Sequence, residues 1–314
     1  MQTAGETVPL RPLSLGEIFD RALTLYVRNF VPFTLIVAVL VVPLAIVQYF
    51  IGAQESGSLT QILAQIEHPG KTLPTADAAA FEGWSVLLIV LAVLFNAFTI
   101  VALAVAVGRL YRGEAPQWRA CWTIALRRSG AVLMTLLCEL GVFVCVVFAG
   151  AIAITIVAVV AALLVRSSAA LGIAAFAVAF VVGIAWFLAF VLCYLAFGFA
   201  FNALGVENAP IGAAIGSGFS RIFNRSELLR AVLICLALAV IYFGISVLSM
   251  SVGAMFELMH LYAVTVTVNA LLSLVMTALL GVLLVVYYFD VRVRREGLDM
   301  QADMTSLQPV APSP

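Results

Sequence analysis

Charge is the scarcest commodity in this chain. Charged residues make up 10% of its 314 positions and the formal net charge is +0, whereas soluble domains carry about 25% charged residues. With no surplus of either sign there is no overall pull toward nucleic acid or acidic substrates. Histidine occurs only twice. His68 and His260 stand far apart in or beside loops and cannot supply the paired His and acidic cluster of metal-assisted phosphodiester hydrolysis. The five cysteines, Cys121, Cys138, Cys145, Cys193 and Cys235, all fall in expected helices and follow no zinc spacing, which argues against a disulfide framework or a metal site. No Ser/His or His/Glu constellation suited to intramembrane catalysis is present. The chain therefore reads as non-enzymatic, with no catalytic residue, cofactor or metal ligand expected. A cleavable signal peptide is also missing, because the first apolar run follows a charged helix and is too long for an h-region.

What is present in quantity is apolar surface: hydrophobic residues make up 64% of the chain and the mean hydropathy is +1.17. The apolar runs at about 31–53, 84–107, 131–165, 169–201, 228–253 and 263–289 are each long enough to cross a hydrocarbon core, which takes about 20 helical residues. This predicts an all-α, polytopic, six-helix transmembrane bundle. Pro43 is internal to the first run and should kink it. Asn96, near the middle of the second, suits a helix–helix hydrogen bond. The polar stretch 54–83 is the one long outer loop, with a short helix predicted over 58–67, and Trp84 marks the outer interface. A helix over 131–165 would run roughly 52 Å, well past a core of about 30 Å. It must protrude, tilt or break, with Gly141 and Gly150 as the break points. Together with 169–201 it forms a long hairpin turning at Arg166-Ser167-Ser168.

Three short helices interrupt the apolar pattern. Ser14-Leu15-Gly16-Glu17 is a capping box, in which the serine hydroxyl and the glutamate carboxylate satisfy free amides at a helix start. At 100° per residue, Leu15, Ile18, Phe19, Ala22 and Tyr26 share one face and Glu17, Asp20, Arg21, Thr24 and Arg28 the other. The apolar face is expected in the headgroup boundary. The design returns after Glu114-Ala115-Pro116, where Trp118, Cys121, Trp122 and Ala125 oppose Arg119, Thr123 and Arg127, with Pro116 placed at the first helical position. It returns again after Glu207-Asn208-Ala209-Pro210, where Ile211, Ile215, Phe219 and Ile222 oppose Ser217, Ser220 and Asn224. Arg221 and Arg127 stand at the same distance from their prolines. Gly212, Gly216 and Gly218 weaken this third helix but allow close backbone approach. The expected organisation is a disordered cytosolic N-terminus over 1–13 and one integral membrane domain over 14–299. That domain is built as three parallel repeats of in-plane amphipathic helix plus transmembrane hairpin, at about 14–112, 113–205 and 206–299, and a disordered cytosolic tail follows over 300–314.

Orientation follows from arginine placement. Of 16 cationic residues, six spans leave only Lys71 and Arg166 on one side, and the rest lie on the side holding both termini. By the positive-inside rule both termini are cytosolic, in a bacterial cytoplasmic membrane. Beyond the last span, Asp290 and Arg294, Arg292 and Glu296, and Arg295 and Asp299 are spaced i, i+4, so the helix can continue to Gly297 as a C-terminal cap. Its surplus cation can face Glu17 or Asp20, giving an ionic seam of Glu17, Asp20, Asp290, Arg292, Arg294 and Arg295.

At Pro12-Leu13-Ser14-Leu15-Gly16-Glu17-Ile18-Phe19-Asp20-Arg21, and again at Tyr287-Tyr288-Phe289-Asp290-Val291-Arg292-Val293-Arg294-Arg295-Glu296-Gly297-Leu298-Asp299, the sequence resembles the glycerophosphoryl diester phosphodiesterase membrane-domain family. The closing pattern is the more specific of the two. In that family the phosphodiesterase chemistry resides in a separate soluble barrel after the membrane part. The resemblance therefore implies a stand-alone membrane module without the catalytic barrel.

Two functions are compatible with this pattern. One is a non-catalytic scaffold or binding module whose cytoplasmic collar, Arg21, Arg28, Arg119, Arg127, Arg221 and Arg225, meets anionic lipids of the bilayer or another membrane or cytosolic protein, with no nucleic acid involved. Arginine near an anionic leaflet gains about 1 kcal/mol. The bland reading of the same residues is that they only set topology. The other function is a transporter or channel for a small or lipid-like substrate, with Glu139, the sole acid inside an apolar run, as the transport residue. A structural ion pair of Glu139 with Arg127 or Arg128 at the cytosolic interface is the favoured reading of that residue.

Overall fold

The computed structural model describes residues 11–52, 78–165, 168–259 and 261–297. Among them the chain forms nine helices and no strand. These are α1 (Leu15–Arg28), α2 (Phe30–Gly52), α3 (Ala78–Tyr111), α4 (Trp118–Arg127), α5 (Ser129–Val165), α6 (Ala169–Val206), α7 (Ile211–Ile222), α8 (Leu228–Leu258) and α9 (Tyr262–Glu296). Six of them, α2, α3, α5, α6, α8 and α9, are long and apolar enough to cross a membrane. The order is a short helix followed by two long ones, three times over. The helix predicted over 58–67, the loop residues Lys71 and Arg166, both histidines, Asp299 and the tail 300–314 lie outside the described residues.

Local chemistry accounts for the helix ends. Ser14 caps α1 as predicted, its hydroxyl accepting from the Glu17 amide at 3.3 Å while the Glu17 carboxylate accepts from the Ser14 amide at 2.7 Å. Both bonds satisfy amides that have no partner within the helix. After α6, Asn208 adopts a left-handed φ of 59°, a conformation that asparagine tolerates better than most residues. Gly297 ends α9 with φ 62°. Pro116 stands two residues before α4 rather than at its first position, since Gln117 is the N-cap.

The chain divides into two compact units, Met1–Ser129 with Ala237–Pro314, and Gly130–Leu236, the division falling within α8. In the first, α2, α3 and α9 pack on one another, α1 lies on α9 and α2, and α4 lies on α3 and α2. Phe33, Ile36, Leu103, Tyr287 and Tyr288 are fully buried, and removing such a side chain from water is worth about 1.5–3 kcal/mol. Protein covers the apolar face of α1: Ile18, Ala22, Leu25 and Tyr26 are all buried. That differs from the headgroup-facing placement expected from periodicity, which locates an apolar stripe but not what it meets.

In the second unit, α5 and α6 run unbroken for 37 and 38 residues, roughly 55 Å each at 1.5 Å per residue. No break occurs at Gly141 or Gly150. Gly150 instead makes room for Trp186 of α6, whose ring fills the place a Cβ would take. The Trp186 indole N–H donates to the Val146 carbonyl at 2.8 Å. Phe143 lies one turn away, with ring centroids 4.7 Å from Phe190 and 6.3 Å from Phe197. Helix α7 packs closely on α6. Of its glycines only Gly218 is needed for this, since a Cβ there would strike the Ala196 carbonyl, whereas Gly212 and Gly216 face open space.

Candidate functional site

The end of α9 that carries Tyr287, Tyr288 and Asp290 sits where the first unit gathers its helix ends. Trp122 of α4 donates its indole N–H to the Ile36 carbonyl at 3.1 Å, which places α4 across the first two turns of α2. Helix α1 leads into the same end of α2 through Asn29. Tyr111, the last residue of α3, stacks against Phe289 of α9 with centroids 4.4 Å apart. The start of α2 and the ends of α3 and α9 therefore share one end of the unit, with α1 and α4 lying over it.

Asp290 organises the join. Its side chain is fully buried, and Oδ1 accepts from the main-chain N–H of Leu13 at 2.7 Å. The Arg294 guanidinium lies 3.2 Å from Oδ2 and also donates to the Leu13 carbonyl at 2.5 Å. One turn away, Arg292 pairs with Glu296 at 2.8 Å and lies over the Tyr288 ring. Two of the three i, i+4 pairs thus form, the third, Arg295 with Asp299, lying outside the described residues, and the link to the N-terminal segment runs through the Leu13 backbone. Glu17 is engaged elsewhere, by Ser14 and by Arg11 at 2.6 Å. Those bonds, the Ser14 amide first, hold its carboxyl down at about 2. Asp20 is exposed on α1, and Arg295 is exposed at the end of α9. Leu13 was legible only indirectly: an apolar residue just before a capping box marks a chain entry pinned to the core.

The six collar arginines are placed unequally. Arg28, Arg119 and Arg127 are exposed, with the Arg119 guanidinium 5.2 Å from the Trp118 ring centroid. Arg21 is half-buried and reaches the Tyr111 hydroxyl. In the second unit Arg225 is exposed, but Arg221 is buried and pairs with Glu207 at 2.9 Å, its Nη1 also 3.5 Å from Ser217 Oγ. Arg221 therefore lies differently from the surface cation expected there, because α7 turns it back toward the acid that ends α6. Glu114 bridges Arg109 and Arg112 at 3.1 and 3.2 Å. Cys121 lies on the buried face of α4, and burial pushes its thiol up to about 11, the opposite of an activated nucleophile.

Glu139 is buried on α5, one turn before Phe143 on the side that faces α6. It stands 11 residues beyond Arg128 in sequence, roughly 16 Å along a helix axis. Among the described residues no ion pair to Glu139 is formed. Comparison with protein families, curated proteins and solved structures finds no match to this chain, so what it is rests on the geometry above: six helices among the described residues are long and apolar enough to cross a membrane, as in a multi-pass membrane protein.

Proposed function

We propose that the protein is a non-catalytic binding module of the bacterial cytoplasmic membrane whose cytosolic end, formed in the first unit by α1, α4 and the ends of α2, α3 and α9, holds anionic lipid headgroups. The observation that carries this is the division of labour on α1 and α4. Each buries one face in protein, at Ile18, Ala22, Leu25 and Tyr26 and at Cys121, Trp122 and Ala125, and leaves Arg28, Arg119 and Arg127 exposed on the other. Cations at the level where spans end are what an anionic leaflet attracts, at about 1 kcal/mol each. Positive-inside asymmetry puts that end, and both termini, in the cytosol. The threefold order of short helix and long pair supports a parallel repeat. The two stretches that resemble the phosphodiesterase membrane-domain family are also the two that meet at Asp290, which supports reading the chain as a membrane module of that kind.

The test is retention of phosphatidylglycerol after mild detergent extraction. Replacing Arg28, Arg119 and Arg127 together with Gln should lower it severalfold while insertion is unchanged. Unaltered retention leaves these residues as topology determinants alone, and loss of a co-purifying protein rather than lipid makes the collar a protein-docking surface. A transport reading is favoured by the burial of Glu139 without a cation beside it, since acids inside spans mark ion and proton paths. It requires that Glu139→Gln stop a proton flux in proteoliposomes that the triple Gln variant retains.

A further inference from the structure

Some serine and threonine hydroxyls in these spans bond back to the carbonyl four residues earlier. Thr99, Thr155, Ser251 and Thr267 all do so, at 2.7–2.8 Å. Such back-bonding satisfies the hydroxyl where no water is available. Between α8 and α9, inside the first unit, a further group of polar side chains is arranged differently. A cavity of about 740 Å³ opens there, lined by Ser246, Ser249, Thr265, Asn269, Ser273 and Thr277 among apolar side chains such as Met250, Leu272 and Met276. Ser249 donates to Asn269 Oδ1 at 2.7 Å, which leaves the Asn269 amide N–H groups turned to the cavity wall near Gly253. Ser246, Ser273 and Thr277 make no back-bond to their own helix. Hydroxyls and an amide left open in a hydrocarbon slab are costly unless something polar meets them.

We propose that this cavity binds a neutral amphiphile, a glycerolipid whose head carries free hydroxyl and ester groups and no charge. The lining supplies both donors and acceptors but no cation and no anion, so a phosphate would be desolvated without compensation, while a hydroxylated head finds partners at Ser246, Asn269, Ser273 and Thr277, Ser249 and Thr265 being bonded to Asn269 and the Gly253 carbonyl. The apolar walls take the first part of a chain. Its volume is that of a small-ligand site, about 300–1,000 Å³. Ser246 and Ser273 are exposed, so the cavity opens at the side of the helix pair, where a lipid enters without leaving the bilayer.

The full chain, reconstituted in phosphatidylcholine vesicles, is labelled with a photoreactive monoacylglycerol and its adducts mapped by mass spectrometry. Adducts should concentrate on residues 242–280, compete with unlabelled diacylglycerol and resist phosphatidylglycerol. Asn269→Leu should reduce them about tenfold, the scale of one lost hydrogen-bond set, while Thr267→Val, whose hydroxyl is back-bonded away from the cavity, leaves them unchanged. If Asn269→Leu fails to fold, Ser246→Ala with Ser273→Ala removes the hydroxyls without adding bulk and should give the same loss. Equal competition by phosphatidylglycerol, adducts indifferent to these variants, or a cross-linked second copy in place of the lipid would overturn the proposal.

Discussion

Leu13 and Asp290 lie 277 residues apart in sequence and 2.7 Å apart in space, the Leu13 amide donating to the buried aspartate while the Leu13 carbonyl accepts from Arg294. The chain's entry into its first helix is thereby tied to the exit of its last. Asp290→Ala strands a buried N–H and frees Arg294, at a cost of about 1–3 kcal/mol. The melting temperature in mild detergent should fall accordingly, with Asp290→Asn intermediate because its amide oxygen still accepts from Leu13. Since Glu17 bonds to Ser14 and Arg11, Glu17→Arg should not be rescued by Arg292→Glu or Arg295→Glu. A Tm unchanged in Asp290→Ala would remove Leu13 from the account.

The start of α1 should respond to acid. Glu17 titrates near 2 in the folded protein against an ordinary value of 4.5. Its pKa is depressed, so its contribution is complete above about 4.5 and lost as pH falls toward 2. Glu17→Gln should flatten that part of the stability profile, and Ser14→Ala should cost about 1 kcal/mol at neutral pH. A slope of stability with pH that is identical in Glu17→Gln would refute this.

Glycine substitutions should separate by position. Gly212→Ala and Gly216→Ala add a Cβ in open space and should stabilise by roughly 0.5–1 kcal/mol through helix propensity. Gly218→Ala drives a Cβ into the Ala196 carbonyl, and Gly150→Ala drives one into the Trp186 ring. Both should destabilise, Gly218→Ala more, because a backbone atom cannot rotate aside. Thermal unfolding of the four variants decides, and equal effects at Gly216 and Gly218 would refute the close approach of α7 to α6.

Arg221 and Arg225 should part company as well. Arg221→Gln removes the guanidinium 2.9 Å from Glu207 in a largely buried setting, a loss of about 3 kcal/mol. The double variant with Glu207→Gln should be milder, whereas the exposed Arg225→Gln should change stability by less than about 0.5 kcal/mol. Additive losses at Arg221 and Glu207 would mean that the pair is not coupled.

Orientation is open to direct labelling. In a chain freed of native cysteines, Met259→Cys, in the exposed turn between α8 and α9, should react with an impermeant maleimide in intact cells. Glu114→Cys, between α3 and α4, should react only after permeabilisation. Both reacting from one side would exclude six spans with both ends inside.

The spans and the α1 capping box were legible because apolar length and the Ser-x-x-Glu spacing are local properties. The residues beneath α1 were harder to assign: periodicity marks Ile18, Ala22 and Tyr26 as apolar-facing, but only the fold shows that α9 and α2 cover them. Arg221 looked like its counterpart Arg127, yet a turn that brings Glu207 within 2.9 Å makes it a buried partner. The part Leu13 plays was legible only through its place before the capping box, because backbone atoms carry it.

The unbroken apolar length of α5 and α6 bears on the surrounding bilayer. At roughly 55 Å each they exceed a hydrocarbon thickness of about 30 Å, a hydrophobic mismatch that costs fractions of a kcal/mol per Å unless helices lean over or lipids stretch. The hairpin therefore protrudes from the core, lies steeply inclined or is ringed by a thickened lipid annulus. In mixed vesicles the protein should partition toward long-chain lipids and segregate from short-chain ones, sorting itself by membrane thickness independently of anything it binds.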